Sequence, residues 1–157
     1  MAQLVLAKRI NASIEDVWAS WDDFGNIARF SAGIAGSRLL TDESQPAQVG
    51  TTRHCDFADG KNWVREKIID YRPMESIGLE VYDGTVPLKS MAATFDFEKI
   101  SDSRTRVRMT VNFEPKFGIL GKLMVPLIKK QFGKNLGELL DGNAAYVERG
   151  EPVQEAA

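Results

Sequence analysis

The sequence contains one cysteine and one histidine among its 157 residues. An internal disulfide needs two cysteines, so Cys55 cannot form one. The usual zinc sites take three or four ligands, mostly from histidine and cysteine, and this chain cannot supply such a set. We therefore predict a protein without a metal centre and without a cofactor.

Neither sign of charge dominates, and no long apolar run is present. The 20 basic and 22 acidic residues give a formal charge of −2, with lysine and arginine scattered along the chain; a nucleic-acid surface needs a concentrated basic patch. No apolar run approaches the ~20 residues of a membrane span. Lys8 and Arg9 follow a Leu-Val-Leu stretch, the wrong order for a signal peptide. We expect a cytoplasmic protein that binds no nucleic acid and is not integral to a membrane, while its oligomeric state stays open.

The amino-acid composition is that of a globular domain. Hydrophobic residues make up 43% of the chain, charged residues 27% and aromatic residues 9%. A chain of this length suits one domain with a real core. We predict a single domain over residues 1–149 and a disordered tail over residues 150–157.

Short β-prone runs separated by turn signals cover most of the first 113 residues. We predict strands at Gln3–Ile10 and near 34–41, 50–57, 62–72, 76–83, 89–99 and 104–113, which indicates an antiparallel meander. Between the first two strands, Ser13 begins a capping-box-like Ser-Ile-Glu-Asp sequence that predicts a short helix. A second short helix is expected within residues 22–30.

The Asp59-Gly60 pair predicts a hairpin with a two-residue turn. In that register the numbers of cross-strand partners sum to 119, which places Arg53 opposite Glu66. The face that carries this pair also carries Cys55 and should point inward, whereas the face of His54 is polar and should be solvated. The hairpin therefore predicts an arginine and a carboxylate together in an apolar interior.

A long helix is predicted from about Gly118 to Glu148. One helical stripe joins Met124, Ile128, Phe132, Leu136, Leu139, Asn143 and Val147. Pro126 predicts a kink or the true start of the helix. Three glycines at 133, 137 and 142 permit a close approach to the sheet, a mobile lid or ordinary relaxed packing, and the sequence does not separate these.

This order of elements resembles the helix-grip architecture of the START/Bet v 1-like (SRPBCC) superfamily. The run Val49-Gly-Thr-Thr-Arg53, followed by Gly60, Val64-Arg-Glu66 and Asp70, is similar to the polyketide cyclase/dehydrase branch, as is Asn112-Phe-Glu-Pro115. The resemblance implies an α+β fold, in which a seven-stranded curved antiparallel sheet wraps around the long C-terminal helix.

The resemblance also implies a cavity between sheet and helix that takes a hydrophobic or amphipathic, lipid-like or polyketide-like molecule. In the lachrymatory factor synthase of this branch, an arginine and a glutamate inside the cavity carry the chemistry, and Arg53 and Glu66 match them. Where relatives often carry aromatic hydroxyls, this chain has Leu79 and Met91, which predicts a more apolar cavity. Arg53 and Glu66 are thus the catalytic candidates.

The predicted ligand-binding residues combine this polar pair with the inward-facing apolar positions. They are Arg53, Glu66, Cys55, Val64, Leu79, Met91, Phe95, Met109, Val111, Met124, Ile128, Phe132 and Leu136. Phe24 and Phe30, near flexible glycines, are predicted to form an entrance to the cavity. Cys55 is expected to be an inert buried thiol, because no histidine shares its face to activate it.

The Arg53–Glu66 pair permits three interpretations. Arg53 anchors a carboxylate, enolate or carbonyl oxygen of a ligand; or the pair performs acid–base chemistry; or it is an ion pair that fixes the hairpin register. The leading hypothesis is a protein that binds or transports a hydrophobic small molecule. The alternative is a cofactor-independent cyclase, dehydratase or isomerase, and a third possibility is a protein-interaction module that uses the outer sheet face.

Overall fold

The protein is described by a computed structural model covering residues 1–153. Seven strands form one antiparallel sheet in the order β1-β7-β6-β5-β4-β3-β2. The strands are β1 (Ala2–Ile10), β2 (Ile34–Leu39), β3 (Thr52–Phe57), β4 (Trp63–Arg72), β5 (Ser76–Gly84), β6 (Leu88–Ser101) and β7 (Arg104–Pro115). The helices are α1 (Ile14–Asp22), a 3-10 helix (Phe24–Arg29), α2 (Gly118–Leu123) and α3 (Val125–Arg149). The predicted helix-grip fold is confirmed.

The first helix begins where the sequence predicts. The Ser13 Oγ accepts a hydrogen bond from the Asp16 backbone N–H at 3.2 Å, which satisfies one free donor of the first turn. Val17, Trp18 and Trp21 are the buried residues of α1. Trp21 Nε1 donates to the Asn143 Oδ1 at 3.0 Å, so a buried hydrogen bond ties α1 to α3.

The core lies between the concave face of the sheet and the helices. Alternate residues of the last two strands are buried, as period-two counting predicts: Phe95 and Phe97 on β6, and Val107, Met109, Val111 and Phe113 on β7. Only one face of the sheet is apolar enough to form a core, and the short helices and α3 cover it.

The predicted C-terminal helix consists of two helices. The first ends at Leu123, and α3 starts at Val125 with a proline in its first turn, as Pro126 indicates. On the predicted stripe, Leu139 and Asn143 are buried and Phe132 and Leu136 are half-buried, but Met124 is exposed. The periodicity of the stripe identifies a face of the helix; it does not say how far along the helix the sheet extends.

The three helix glycines separate into two kinds. A Cβ at Gly142 would lie 2.0 Å from the Phe30 carbonyl oxygen, whereas Cβ atoms at Gly133 and Gly137 would meet nothing within 4 Å. Close approach therefore explains Gly142 alone, where the backbone of α3 packs on the end of the 3-10 helix segment.

The predicted tail begins in contact with the domain. α3 ends at Arg149, and its C-cap residue Gly150 has φ of 67°. Beyond it, the Val153 N–H donates to the Arg29 carbonyl at 2.7 Å, so residues 150–153 fold back onto the protein. The remainder of the predicted tail, 154–157, lies outside the described residues, and the single domain over residues 1–149 stays a prediction. Within residues 1–153, no helix has both the length and the apolar character needed to cross a membrane.

Candidate functional site

The site is built on the β3–β4 hairpin, whose register is the predicted one. Arg53 pairs with Glu66, and Cys55 pairs with Val64. The turn itself was wrongly predicted: the Phe57 N–H donates to the Asn62 carbonyl at 2.9 Å, so the loop has four residues, 58–61. Among these four loop residues, only Gly60 has a positive φ, of 72°. The four-residue loop has the same centre as the predicted two-residue turn. The same residues therefore lie opposite each other, and the predicted register is correct although the predicted loop length is not.

The side chain of Arg53 is held on three sides. Its Nε donates to the Glu66 Oε2 at 2.6 Å, and its Nη1 donates to the Phe24 carbonyl at 2.9 Å. The guanidinium carbon lies 3.9 Å from the centre of the Phe24 ring, within cation–π distance. The side chain is 4% exposed. Arg53 is therefore a buried, oriented cation that contacts both the hairpin and the 3-10 helix.

Glu66 lies next to an irregularity of the sheet. The β4–β5 pairing shifts between Arg65 and Glu66, so that Tyr82 is bypassed and Glu66 pairs with Val81. Such a bulge re-aims neighbouring side chains, and both Glu66 and Val81 line the cavity described below. The Glu66 carboxylate is 14% exposed, more than its arginine partner.

Cys55 lies behind the pair and does not line the cavity. Its side chain is fully buried, and its Sγ is 4.0 Å from the Glu66 Oε2. Burial raises the pKa of the Cys55 thiol to about 12, although the neighbouring Arg53 acts in the opposite direction. The thiol is protonated at neutral pH, which supports an inert role.

His54 is on the outer face, as predicted, but it is not solvated. It is 8% exposed because its ring stacks on Trp63 at 5.2 Å between ring centres. Its Nε2 lies 2.9 Å from the Asp56 Oδ1, and the Arg65 Nε donates to its Nδ1 at 3.3 Å. Strand parity identified the face correctly, but it did not show that the neighbouring side chains cover the ring.

A cavity of about 410 Å³ opens beside Arg53 and Glu66. This volume is within the usual range for small-molecule sites. Its apolar lining is Ile27, Ile34, Phe57, Ala58, Val64, Leu79, Val81, Val86, Leu88, Met91, Ala93, Phe95, Met109, Phe132, Leu136 and Leu139, with Gly33 at one side. Its polar lining is Ser31, Arg53, Asp59, Glu66, Asn135 and Glu138.

Most of the predicted ligand-binding residues line this cavity. They are Arg53, Glu66, Val64, Leu79, Met91, Phe95, Met109, Phe132 and Leu136. The other four do not: Cys55 and Val111 are fully buried behind the lining, Ile128 packs against the core outside it, and Met124 is exposed. Contact of the nine lining residues with a ligand stays a prediction.

The predicted entrance is misplaced. Phe24 and Phe30 are both buried, Phe24 beneath Arg53 and Phe30 between Trp21 and Tyr146. The exposed residues of the lining instead belong to the β3–β4 loop, to the segment after the 3-10 helix and to α3: Gly33, Ala58, Asp59, Asn135 and Glu138. The mouth of the cavity lies where these meet.

Sequence reasoning missed several lining residues. Val81 and Ala93 lie two residues from Leu79 and Met91 on the same strand faces, so period-two alternation carried a signal for them. Val86, in the β5–β6 connection, and Leu88, the first residue of β6, carry no periodic signal because they lie at the end of regular structure. Asn135 and Glu138 are off the apolar stripe of α3, and their place at the mouth follows only from the fold.

The described residues contain no group of three or more histidine, cysteine, aspartate or glutamate side chains that could hold a metal ion. Of the ionisable groups of the lining, Arg53 is buried and Glu66 is partly buried, whereas Asp59 and Glu138 are exposed at the mouth. What the site can do chemically therefore depends on one cation–carboxylate pair in an apolar enclosure.

A family model described as "Polyketide cyclase / dehydrase and lipid transport" matches residues 1–148. The chain belongs to this family. The membership confirms the resemblance found in the sequence and indicates two broad classes of function, hydrophobic-ligand binding and cyclase or dehydrase chemistry, without identifying a substrate.

Solved structures of the same fold share little sequence with the chain. A START superfamily protein from Mycobacterium smegmatis is 17% identical, with a TM-score of 0.78 over 94% of this chain and 97% of that one. The Zhui aromatase/cyclase from Streptomyces sp. R1128 is 14% identical, with a TM-score of 0.80 over 94% of each chain. The protein TTHA0849 from Thermus thermophilus is 19% identical, with a TM-score of 0.76 over 93% of this chain and 97% of that one. No curated protein matches the sequence.

Proposed function

We propose that the protein binds, and carries, an amphipathic small molecule in the cavity beside Arg53 and Glu66. The proposal rests on the composition of the enclosure, in which apolar walls surround one ion pair, with Arg53 buried and Glu66 partly buried. Ligand sites usually combine an apolar lining with a few convergent polar groups that set orientation. The apolar body of the ligand packs between β5, β6 and α3, and its polar end lies at the pair.

The pair also sets the chemistry of that polar end. Glu66 already neutralises the guanidinium through Nε, so a ligand carboxylate would bring a second negative charge to a site with a single positive charge. Arg53 hydrogen-bonds through Nε and Nη1, and Glu66 hydrogen-bonds through Oε2; the remaining polar atoms of the pair are Arg53 Nη2 and Glu66 Oε1. These atoms suit a neutral carbonyl or hydroxyl group, which accepts from one or donates to the other.

A second candidate function is supported by the same pair. In a cofactor-independent cyclisation, dehydration or isomerisation, Arg53 would stabilise a developing oxyanion and Glu66 would transfer the proton. The Phe24 carbonyl and ring hold the guanidinium in place, as an electrostatic catalyst requires. We favour binding over catalysis because the cavity lining has apolar side chains at Leu79 and Met91, and these positions supply no further acid or base.

Mass spectrometry of the gently purified protein, native and then denatured, tests the proposal. We expect a small molecule to accompany the wild-type protein and to be lost in Met91→Trp, which fills the cavity. Ile69→Trp, at an exposed position of β4, is the matched control and should retain it. A wild-type protein that carries no molecule and takes up neither 2-decanone nor a fluorescent hydrophobic probe would overturn the proposal.

Glu66→Gln separates binding from catalysis once a ligand is known. Retained affinity with loss of turnover would favour the enzyme, and unchanged ligand recovered after incubation with the wild-type protein would favour the carrier.

A further inference from the structure

The segment that joins the sheet to α3 exposes an unusual amount of apolar surface. Between residues 117 and 127, six large apolar side chains are 51% to 78% exposed: Phe117, Ile119, Leu120, Leu123, Met124 and Leu127. We call these six side chains the apolar patch. Single exposed apolar residues are normal on protein surfaces, but a contiguous group marks an interaction site.

The fold holds this segment in place by its other side. Gly121 is buried, and a Cβ there would lie 2.0 Å from the Lys116 carbonyl oxygen, so α2 packs tightly on the end of β7. Phe117 adopts φ of 72°, which is uncommon for a residue with a side chain and costs backbone energy. The strained backbone of Phe117 therefore coincides with an aromatic ring left 75% exposed.

The charge around the patch has one sign. No aspartate or glutamate occurs between Glu114 and Glu138, and the same interval contains five lysines, at 116, 122, 129, 130 and 134. Four of them are exposed, and Lys129 is half-buried. The chain as a whole carries a formal charge of −2, so this segment is a local concentration of positive charge on an otherwise balanced protein.

We propose that the apolar patch and its lysines form a docking surface for an anionic lipid bilayer. Apolar side chains enter the interface between headgroups and acyl chains, and lysines at their margin contact the anionic headgroups; this combination is the physical signature of interfacial segments. The occupant is a lipid surface and not a second copy of this chain, because a symmetric contact would bring ten lysines together without a compensating carboxylate in the segment.

The docking surface adjoins the cavity. The Lys116 N–H donates to the Pro87 carbonyl at 3.1 Å. Pro87 lies between Val86 and Leu88, which line the cavity. The β5–β6 connection is therefore shared by the docking surface and the cavity wall. The docking inference itself depends only on the outer surface of the segment, and it holds whether or not the cavity carries a ligand.

Vesicle flotation tests the proposal. Vesicles of phosphatidylcholine with about 30% phosphatidylglycerol should bind the wild-type protein, whereas pure phosphatidylcholine vesicles should bind it roughly tenfold less. Leu120→Glu with Leu123→Glu should reduce binding to the anionic vesicles by about tenfold or more, since charged side chains would have to enter the interface. The matched control is Val5→Glu with Ile69→Glu, at exposed apolar positions of β1 and β4, and it should bind as the wild type does.

A label reports the docked face directly. Because Cys55 is fully buried, a nitrobenzoxadiazole label on Leu123→Cys is confined to the patch in the folded protein. Its emission should shift to shorter wavelength when anionic vesicles are added, and the same label on Ile69→Cys should not respond. A wild-type protein that binds neither kind of vesicle would overturn the proposal, as would a dimer by light scattering that becomes monomeric in Leu120→Glu with Leu123→Glu without any vesicle binding.

Discussion

Arg53 Nε donates to Glu66 Oε2 at 2.6 Å across the β3–β4 hairpin, and both side chains line the same cavity. Burying an ion pair removes hydration from both charges, and this cost can exceed the attraction between them. Apolar residues of similar size could fill the same space. The position of the pair supports a ligand-directed role more than a contribution to stability.

Replacing one member of the pair should reduce the stability of the protein far more than replacing both members. Arg53→Met leaves the Glu66 carboxylate without its partner, and we expect a loss of about 3 kcal/mol in the free energy of unfolding. The double variant Arg53→Met with Glu66→Leu should recover most of that loss, to within about 1 kcal/mol of wild type. Urea unfolding measures both.

The matched control is the exposed Lys67–Glu80 pair, with 3.8 Å between its charged atoms and 41% and 42% exposure of the two side chains. Lys67→Met should cost less than about 1 kcal/mol. An Arg53→Met variant as stable as Lys67→Met would contradict the burial of the central pair.

The glycines of α3 should respond in opposite directions to alanine. Gly142→Ala places a Cβ against the Phe30 carbonyl oxygen, and we expect about 3 kcal/mol of destabilisation or more. Gly137→Ala meets open space and should stabilise the helix by up to about 1 kcal/mol. Thermal unfolding of the two variants checks this, and a destabilised Gly137→Ala would show that this turn also needs a close approach.

Asn143 should be essential to the contact between α1 and α3. It is fully buried; its Oδ1 accepts from Trp21 Nε1, and its Nδ2 donates to Ser20 Oγ at 2.9 Å. Asn143→Leu leaves the indole N–H without a partner, which should cost about 2 to 3 kcal/mol in unfolding free energy. Asn135→Leu, at an exposed position of the same helix, is the control and should stay within about 0.5 kcal/mol of wild type.

Stability should fall in alkaline solution through Cys55. The folded pKa of the thiol is raised from 9.0 to about 12, so between these values the unfolded chain releases a proton that the folded protein keeps. The contribution of the Cys55 thiol to folding stability is therefore fully present below pH 9 and is lost as the pH rises towards 12. Tyr71 acts in the same direction, because burial and its hydrogen bond to Asp22 raise its pKa above 10.0.

Cys55→Ala isolates the thiol. The wild-type protein should lose about 2 kcal/mol more than the variant between about pH 8 and about pH 10.5, by urea unfolding. Equal losses in the two proteins would show that the thiol ionises as freely in the folded state as in the unfolded chain.

Much of the architecture could be predicted from the sequence, because local signals and the global fold agree. Period-two alternation and the turn signals located all seven strands, and the hairpin register followed from the position of Asp59-Gly60 at the centre of the loop. Parity also placed Arg53 and Glu66 on the inward face, next to Cys55, without any structural information.

The errors at Phe24 and Met124 share a physical cause, since both concern contacts between segments distant in the chain. Phe24 was expected at an entrance, but the guanidinium of Arg53 covers its ring. Met124 belongs to the apolar stripe, yet no core reaches it. Lysines judged to be scattered include five in one interval free of acidic residues, and their significance depends on the exposed side chains between them.

The most direct test of the central claim is a calorimetric titration of 2-decanone and of decanoate, below its micelle-forming concentration, into the wild-type protein and Glu66→Gln. Because Glu66 neutralises Arg53, the wild-type protein should bind the neutral ketone more tightly than the carboxylate. Removing the Glu66 charge leaves the cation uncompensated, so Glu66→Gln should bind decanoate roughly tenfold more tightly than the wild type does and reverse the preference. Binding of neither compound to either protein, or the same order of affinities in both, would contradict the account.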